Sequence, residues 1–324
     1  MIKLMVKNGL GNQMFQYAYA RYIQECYKKN GINENLILNP FYFNKKQSIG
    51  SDKREMSLNH LNLNDKIKIL HKKKQKIDFI RFQIKTYLSV SVLDLYKWIV
   101  LKQKPLGEEK FLERANKGIY YTFFPYTFFK TKLCNKKNKY IYGFYQDERN
   151  FHAISDIIKS ELLVKTIPSD INKKMIENLN SCNSVCLHIR RGDYLNLKWR
   201  NLQICDFDYY NKSINYILNH VDNPTFFVFS NTHEDIEWIK TNYQFRDLSG
   251  FRKINIKYID FNNPDYEELR LMYNCKHFII SNSTFSWWGA YLASHINKIV
   301  LAPKRWNLTC ENDSDIYLND WIKI

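Results

Sequence analysis

Two arginines and an aspartate close the apolar run "SVCLHIRRGDY" (Ser184 to Tyr194). A planar guanidinium grips a phosphate through paired N–H bonds, so arginine at the end of a buried strand suits an anionic ligand. Period-two alternation sends His188 and Arg190 one way and Arg191 the other. The competing reading is an Arg–Asp ion pair that only fixes the loop, and it applies most to Arg191. The stretch "SNSTFSWWGA" (Ser281 to Ala290) poses a second question, because small hydroxyls and large rings crowd together after the apolar run "HFII". Asn282, Ser283, Thr284 and Phe285 would stand at the start of a helix, whose first N–H groups have no partner within the helix. With Arg190 on the same sheet edge, a diphosphate fits between them. Trp287 and Trp288 read as core.

Two further loops join these. "KNGLGNQ" (Lys7 to Gln13) lacks the GK[ST] of a Walker A loop and is not GxGxxG. Gly9 and Gly11 there permit close backbone approach or positive φ. Asn12 and Gln13 can bond a ligand or cap the following helix. "FSNTHED" (Phe229 to Asp235) offers Ser230 and Asn231. Two carboxylates are candidates for a general base. Asp193 is one, although it could instead orient Arg190; Glu148, expected at a strand end in the first half, is the other.

These loops need elements to hold them. Ile2 to Val6 reads as a strand, "QMFQYAYARYIQECYKK" from Gln13 as a helix ended by Gly31, and "NLILN" as a second strand. "KYIYGFYQDERNF" is a strand with a polar exit, followed by a helix at "FHAISDIIKSELLV". After the polar stretch "PSDINKKMIENLNSCN", strands at "SVCLHIR", "TFFVFS", "INIKYID", "HFIIS" and "KIVLAP" alternate with four helices. Continuous apolar strands alternating with helices predict parallel sheets buried on both faces. The expectation is two Rossmann-like domains, 1–165 and 166–324. Ligands in such sheets sit beyond the carboxyl ends of the strands, where all four polar loops fall.

The chain has 324 residues and a formal net charge of +17. That charge admits nucleic acid, an anionic membrane or an acidic small molecule as partner. The rival class, a basic nucleic-acid binder, would show a recognisable reader motif, and none is evident. Residues 66–104 are dense in lysine, with Ile77, Ile80, Ile84, Tyr87 and Leu88 at helical spacing. This predicts a basic helical insertion, read as a solvated face or as a peripheral dock on anionic lipid. No run approaches ~20 apolar residues, so no membrane span is expected, and the N-terminus is too short and interrupted for a signal peptide. A cytoplasmic location follows as an expectation. Seven scattered cysteines without a CxxC pair and eight histidines without an HExxH motif predict neither a disulfide framework nor a metal site. No cofactor is expected.

"GLGNQMFQYA", "HIRRGDY" and "SNSTFSWWGAYLA", in this order, resemble the fucosyltransferases of glycosyltransferase family 11. "GFYQDERNF" is similar to the family's segment between the halves. Asn8 stands where the family usually has glycine, and Asp147 where serine is common. The resemblance implies a GT-B-like fold of two facing Rossmann-like domains and metal-free, inverting transfer of L-fucose. The donor is GDP-β-L-fucose and the acceptor the 2-hydroxyl of a galactose in a glycan. It implies donor contacts at His188, Arg190, Asp193, Ser283, Thr284 and Phe285, with Arg190 on the β-phosphate and Asn12 at the cleft. A fucosyltransferase of another linkage is the alternative within enzymes.

Overall fold

The computed structural model describes residues 1–44, 54–89, 107–122, 128, 130–192, 201–245, 254–308 and 316–324. Asp193 and the part of the basic insertion from residue 90 to 104 lie outside the described residues. The chain divides into two compact units, Met1–Leu162 and Leu163–Ile324.

The first unit opens with β1 (Ile2–Met5), α1 (Leu10–Lys29) and β2 (Leu36–Asn39). It continues through β3 (Lys68–Ile69), α2 (Lys72–Ser89), α3 (Glu108–Asn116), β4 (Ile119–Tyr121), β5 (Lys139–Tyr142) and α4 (Ser155–Glu161). Its strands lie in the order β3-β2-β1-β5-β4, every pairing parallel. The second unit runs α5 (Asp170–Ser181), β6 (Asn183–His188), α6 (Phe207–His220), β7 (Pro224–Phe229) and α7 (His233–Asn242). Then come β8 (Asn255–Tyr258), α8 (Asp265–Tyr273), β9 (His277–Ile279), α9 (Thr284–Leu292), β10 (Val300–Ala302) and β11 (Ile322–Lys323). This sheet is also parallel, in the order β11-β10-β9-β6-β7-β8. Val185, Leu187, Phe226, Val228, Ile279 and Leu301 pack its core at no more than 2% exposure. Each unit is thus Rossmann-like, as the alternation of apolar strands and helices requires.

Three details depart from the expectations. First, α1 starts at Leu10 rather than Gln13, so Gly11, Asn12 and Gln13 are first-turn residues. Gly9 at the cap has no side chain to bond the free N–H groups. The turn is held from within by Gln13 and Gln16: Gln13 Nε2 donates to the Asn8 carbonyl at 2.8 Å, and Gln16 Oε1 accepts from the Lys7 N–H at 3.1 Å. The left-handed residue of this loop is Asn8, with φ 67°, while Gly9 has φ −68°. Asparagine tolerates that region better than other non-glycine residues.

Second, the polar stretch before β6 contains helix α5, capped by Ser169. It buries only Asn172 and Leu179 on the unit, too thin an apolar stripe to show in the sequence. Third, α2 is inverted relative to its apolar pattern. It turns Gln75, Asp78, Phe82, Thr86 and Ser89 inward, and Ile77, Ile80, Ile84, Tyr87 and Leu88 are exposed. Polar side chains can face inward because buried partners receive them: Asp78 pairs with Lys3 of β1 and accepts from Asn39 Nδ2 at 3.4 Å, and Gln75 Nε2 donates to the Leu70 carbonyl at 2.7 Å. Phe82 supplies the apolar contact, packing with Met5, Ile119 and Tyr140.

Candidate functional site

β6 and β9 are neighbours, with Leu187 opposite Ile279, so the loops that leave their carboxyl ends emerge side by side. His188 Nδ1 lies 2.8 Å from Ser281 Oγ and joins the two loops directly. Burial, with the Arg190 guanidinium adding to it, lowers the His188 pKa to about 3, so the ring is neutral. Tyr209 and Tyr210 of α6 brace the same edge. Their hydroxyls donate to the Ile280 carbonyl at 2.6 Å and the His188 carbonyl at 3.3 Å. The strand ends are therefore fixed before any ligand arrives.

The two arginines take different surroundings. Arg191 stacks on Trp238, its guanidinium carbon 3.3 Å from the ring centroid, and Nε lies 3.4 Å from Asp235 Oδ1. Asp235 Oδ2 also accepts the Gly192 N–H at 3.1 Å. The carboxylate that fixes this loop among the described residues is thus Asp235 of α7. Gly192 is required here: its φ is +27°, and a Cβ would lie 2.7 Å from Asn231 Nδ2. Arg190 acts electrostatically on three neighbours, disfavouring charge on His188 and favouring it on Asp235 and Glu268. Both arginines line a cavity of about 200 Å³, with Leu202, Asp206, Trp238 and Asn282 among its walls.

α9 begins at Thr284 with Ser283 as cap, its Oγ accepting from the Phe285 N–H at 3.3 Å. Thr284 and Phe285 are half-buried, and the Phe285 ring centroid is 6.4 Å from that of His188. The macrodipole and the first N–H groups give this end an affinity for negative charge. Behind it, Trp287 and Trp288 are fully buried. Trp287 stacks on Tyr291 with centroids 4.8 Å apart and donates to the Ile316 carbonyl at 2.7 Å. Gly289 lets α9 approach α8, since a Cβ there would lie 2.9 Å from Met272 Cβ. The composition of "SNSTFSWWGA" divides accordingly, with Thr284 and Phe285 half-buried at the helix start, the serines buried around them, and tryptophans and glycine as its anchor.

The other expected residues fall less uniformly. Asn282 is turned inward: its Nδ2 donates to the Leu202 and Trp306 carbonyls at 2.9 and 3.0 Å, which makes it a loop anchor. Ser230 Oγ donates to the Ile189 carbonyl at 2.9 Å and buttresses the loop carrying Arg190. In the first unit, Asn12 Oδ1 accepts from Gln146 Nε2 at 2.5 Å. Glu148 opens a short 3-10 turn, not the end of β5, and its Oε1 lies 2.7 Å from His152 Nδ1. Asp147 beside it is buried, caps that turn and pairs with Arg149.

Glu268, in the first turn of α8, was not expected from the sequence. Burial pushes its carboxyl up to about 8, with Asp265 raising it further and Arg190 opposing. The signal was positional, because a helix following a parallel strand starts at the ligand-bearing edge. A group of possible metal ligands also assembles at His233, Glu237 and Asp260. Lys240 Nζ already lies 2.6 Å from Glu237 and 3.6 Å from Asp260, and His233 is 2.7 Å from Asp260.

A parallel α/β unit with arginine and a capped helix start at one sheet edge is suited to an anionic ligand. The sequence profile of Glycosyl transferase family 11 matches residues 1–324, and the chain belongs to that family. It is 30% identical to the O-antigen biosynthesis glycosyltransferase WbnK of Escherichia coli, over 98% of this chain and 99% of that one. It is also 30% identical to an α-1,2-colitosyltransferase of Escherichia coli, over 98% and 96%. Among solved structures, it is similar to the fucosyltransferase NodZ from Bradyrhizobium at 8% identity, with 90% and 93% of the chains covered and a TM-score of 0.45.

Proposed function

We propose that the chain moves L-fucose from GDP-β-L-fucose to the 2-hydroxyl of a galactose in a glycan acceptor, with inversion and without a metal ion. The observation that carries this reading is the His188–Ser281 contact, which holds the Arg190 loop and the start of α9 at one sheet edge in a family 11 chain. The acceptor oxygen attacks the anomeric carbon while the bond to the β-phosphate oxygen breaks. The bonding pair passes to the phosphate, and the acceptor proton goes to a carboxylate, for which Asp193 and Glu148 are the candidates. Charge growing on the β-phosphate meets the Arg190 guanidinium and the α9 N–H groups. Preorganised donors of this kind are worth about 3–4 kcal/mol of barrier each. His188 is a positioning residue, kept neutral so that it holds Ser281 without competing for the phosphate. Ser283, Thr284 and Phe285 contact the diphosphate, and Asn231 and Ser230 support the donor from the neighbouring strand end. The acceptor is an O-antigen or related surface glycan, a reading supported by the relative named for O-antigen biosynthesis.

Incubation with GDP-fucose and galactose-terminated acceptors, followed by linkage analysis of the product, tests the reading. An α-1,2-fucosylated galactose supports it, and a fucose on any other position overturns the linkage. The colitosyltransferase relative favours a second reading in which the donor sugar is colitose. Parallel assays with GDP-fucose and GDP-colitose separate the two by their ratio of kcat/KM.

A further inference from the structure

We propose that the outward face of α2 docks this enzyme on an anionic lipid surface. The exposed residues Ile77, Ile80, Ile84 and Leu88 recur at three- and four-residue intervals, so they form one stripe along the helix. Tyr87 extends it. Their exposures are 53, 42, 53, 77 and 58%, respectively, for Ile77, Ile80, Ile84, Leu88 and Tyr87. At ~100° per residue the stripe lies roughly opposite the inward set Gln75, Asp78, Phe82, Thr86 and Ser89. The helix therefore spends its polar residues on the protein and its aliphatic ones on the outside, the reverse of an ordinary surface helix.

Charge identifies what this face fits. Lys72 and Lys76 border the stripe on one side, and Lys74, Arg81 and Lys85 on the other, all exposed. Asp78, the helix's acid, is buried against Lys3, so α2 presents cations to the outside without a compensating carboxylate of its own. An apolar stripe between two cationic borders matches the acyl boundary and the phosphate headgroups of an anionic leaflet. A protein partner would need an acidic rim around an apolar groove, whereas an anionic membrane supplies both features over any area. No helix among the described residues is long and apolar enough to cross a bilayer, so the contact is peripheral. The inference is independent of the linkage and donor proposed above.

The test uses the full chain in flotation with phosphatidylcholine vesicles, with and without phosphatidylglycerol, at low and high salt. Two triple variants accompany it: Ile80→Ser, Ile84→Ser, Leu88→Ser, and Lys73→Gln, Lys74→Gln, Lys76→Gln. All six residues are exposed. The wild type should float with the phosphatidylglycerol vesicles at low salt, float less at high salt because the attraction is screened, and ignore neutral vesicles. Each variant should lose at least about tenfold in partitioning while keeping its Tm and its activity on a soluble acceptor. A wild type that stays unbound at low salt, or variants that float as well as it does, would overturn the proposal. Sedimentation of the same proteins without lipid completes the test: a wild-type dimer dissolved by the Ile/Leu variant would assign the stripe to a second copy instead.

Discussion

His188 Nδ1 and Ser281 Oγ, 93 residues apart in sequence, lie 2.8 Å apart at the carboxyl edge of one parallel sheet. A charged imidazole would place a cation in a buried site beside Arg190, and burial together with that guanidinium keeps the ring neutral. The neutral ring fixes the spacing between the two loops on which the proposed phosphate contacts stand.

A pH prediction follows from the His188 pKa of about 3. The unfolded chain takes up this proton near the ordinary value of 6.5, whereas the native state refuses it until about pH 3. Stability must therefore fall as pH drops below 6.5. One such group accounts for about 2 kcal/mol between pH 6.5 and 5. His277, lowered to about 4, adds a second contribution of the same sign. Replacing His188 by Gln should flatten the acid decline of stability in chemical denaturation. An unchanged slope would show that the ring is not the neutral, buried group described.

The two arginines should separate in kinetics. Arg190→Lys keeps a charge but loses the planar fork, and kcat should fall about a hundredfold, corresponding to roughly 3 kcal/mol. Arg191→Lys should cost kcat less than about tenfold and act mainly on stability, since Trp238 and Asp235 already hold that side chain. The reverse ranking in steady-state kinetics would mean that Arg191 carries the phosphate contact.

Much of this arrangement was legible because parallel strands are apolar throughout and the loops at their ends are not. "HIRRGDY" and "SNSTFSWWGA" stood out for that reason, and the core role of Trp287 and Trp288 followed from ring size. Other features escaped because they depend on partners distant in sequence. Asn282 reads as a ligand contact, and its second role, anchoring the loop through the carbonyls of Leu202 and Trp306, is invisible in sequence. Asp235, which holds Arg191 and Gly192, sits on a helix 43 residues beyond Gly192. The inversion of α2 rests on Lys3 and Asn39, which no periodicity within the helix encodes.

Gly289→Ala tests the anchor of α9 rather than its first turn. The new methyl would lie 2.9 Å from Met272 Cβ, so α8 and α9 must separate. Overpacking of this kind costs about 1–3 kcal/mol. Thermal denaturation should show a lowered Tm, and donor affinity should weaken as the helix start shifts. A variant as stable as the wild type would remove the close-approach role assigned to this glycine.

Transfer should proceed in the presence of excess EDTA, because Arg190 and the α9 N–H groups are assigned the charge stabilisation. Asp260→Asn should likewise leave kcat/KM within about twofold, a change of roughly 0.4 kcal/mol, since His233 and Glu237 are exposed, Asp260 is half-buried, and the cluster already holds Lys240. Loss of activity with chelator, restored by Mn²⁺ or Mg²⁺, would contradict the arginine-based account.

Titration calorimetry of GDP against GMP measures most directly the proposed grip of Arg190 on the β-phosphate of the donor. The wild type should bind GDP at least about tenfold more tightly than GMP, because a charge-assisted bond to the terminal phosphate is worth roughly 1.5–3 kcal/mol. Arg190→Ala should bind the two nucleotides with similar affinity while retaining GMP binding close to the wild-type value. A variant that keeps the full preference for GDP would place the β-phosphate elsewhere and contradict the account.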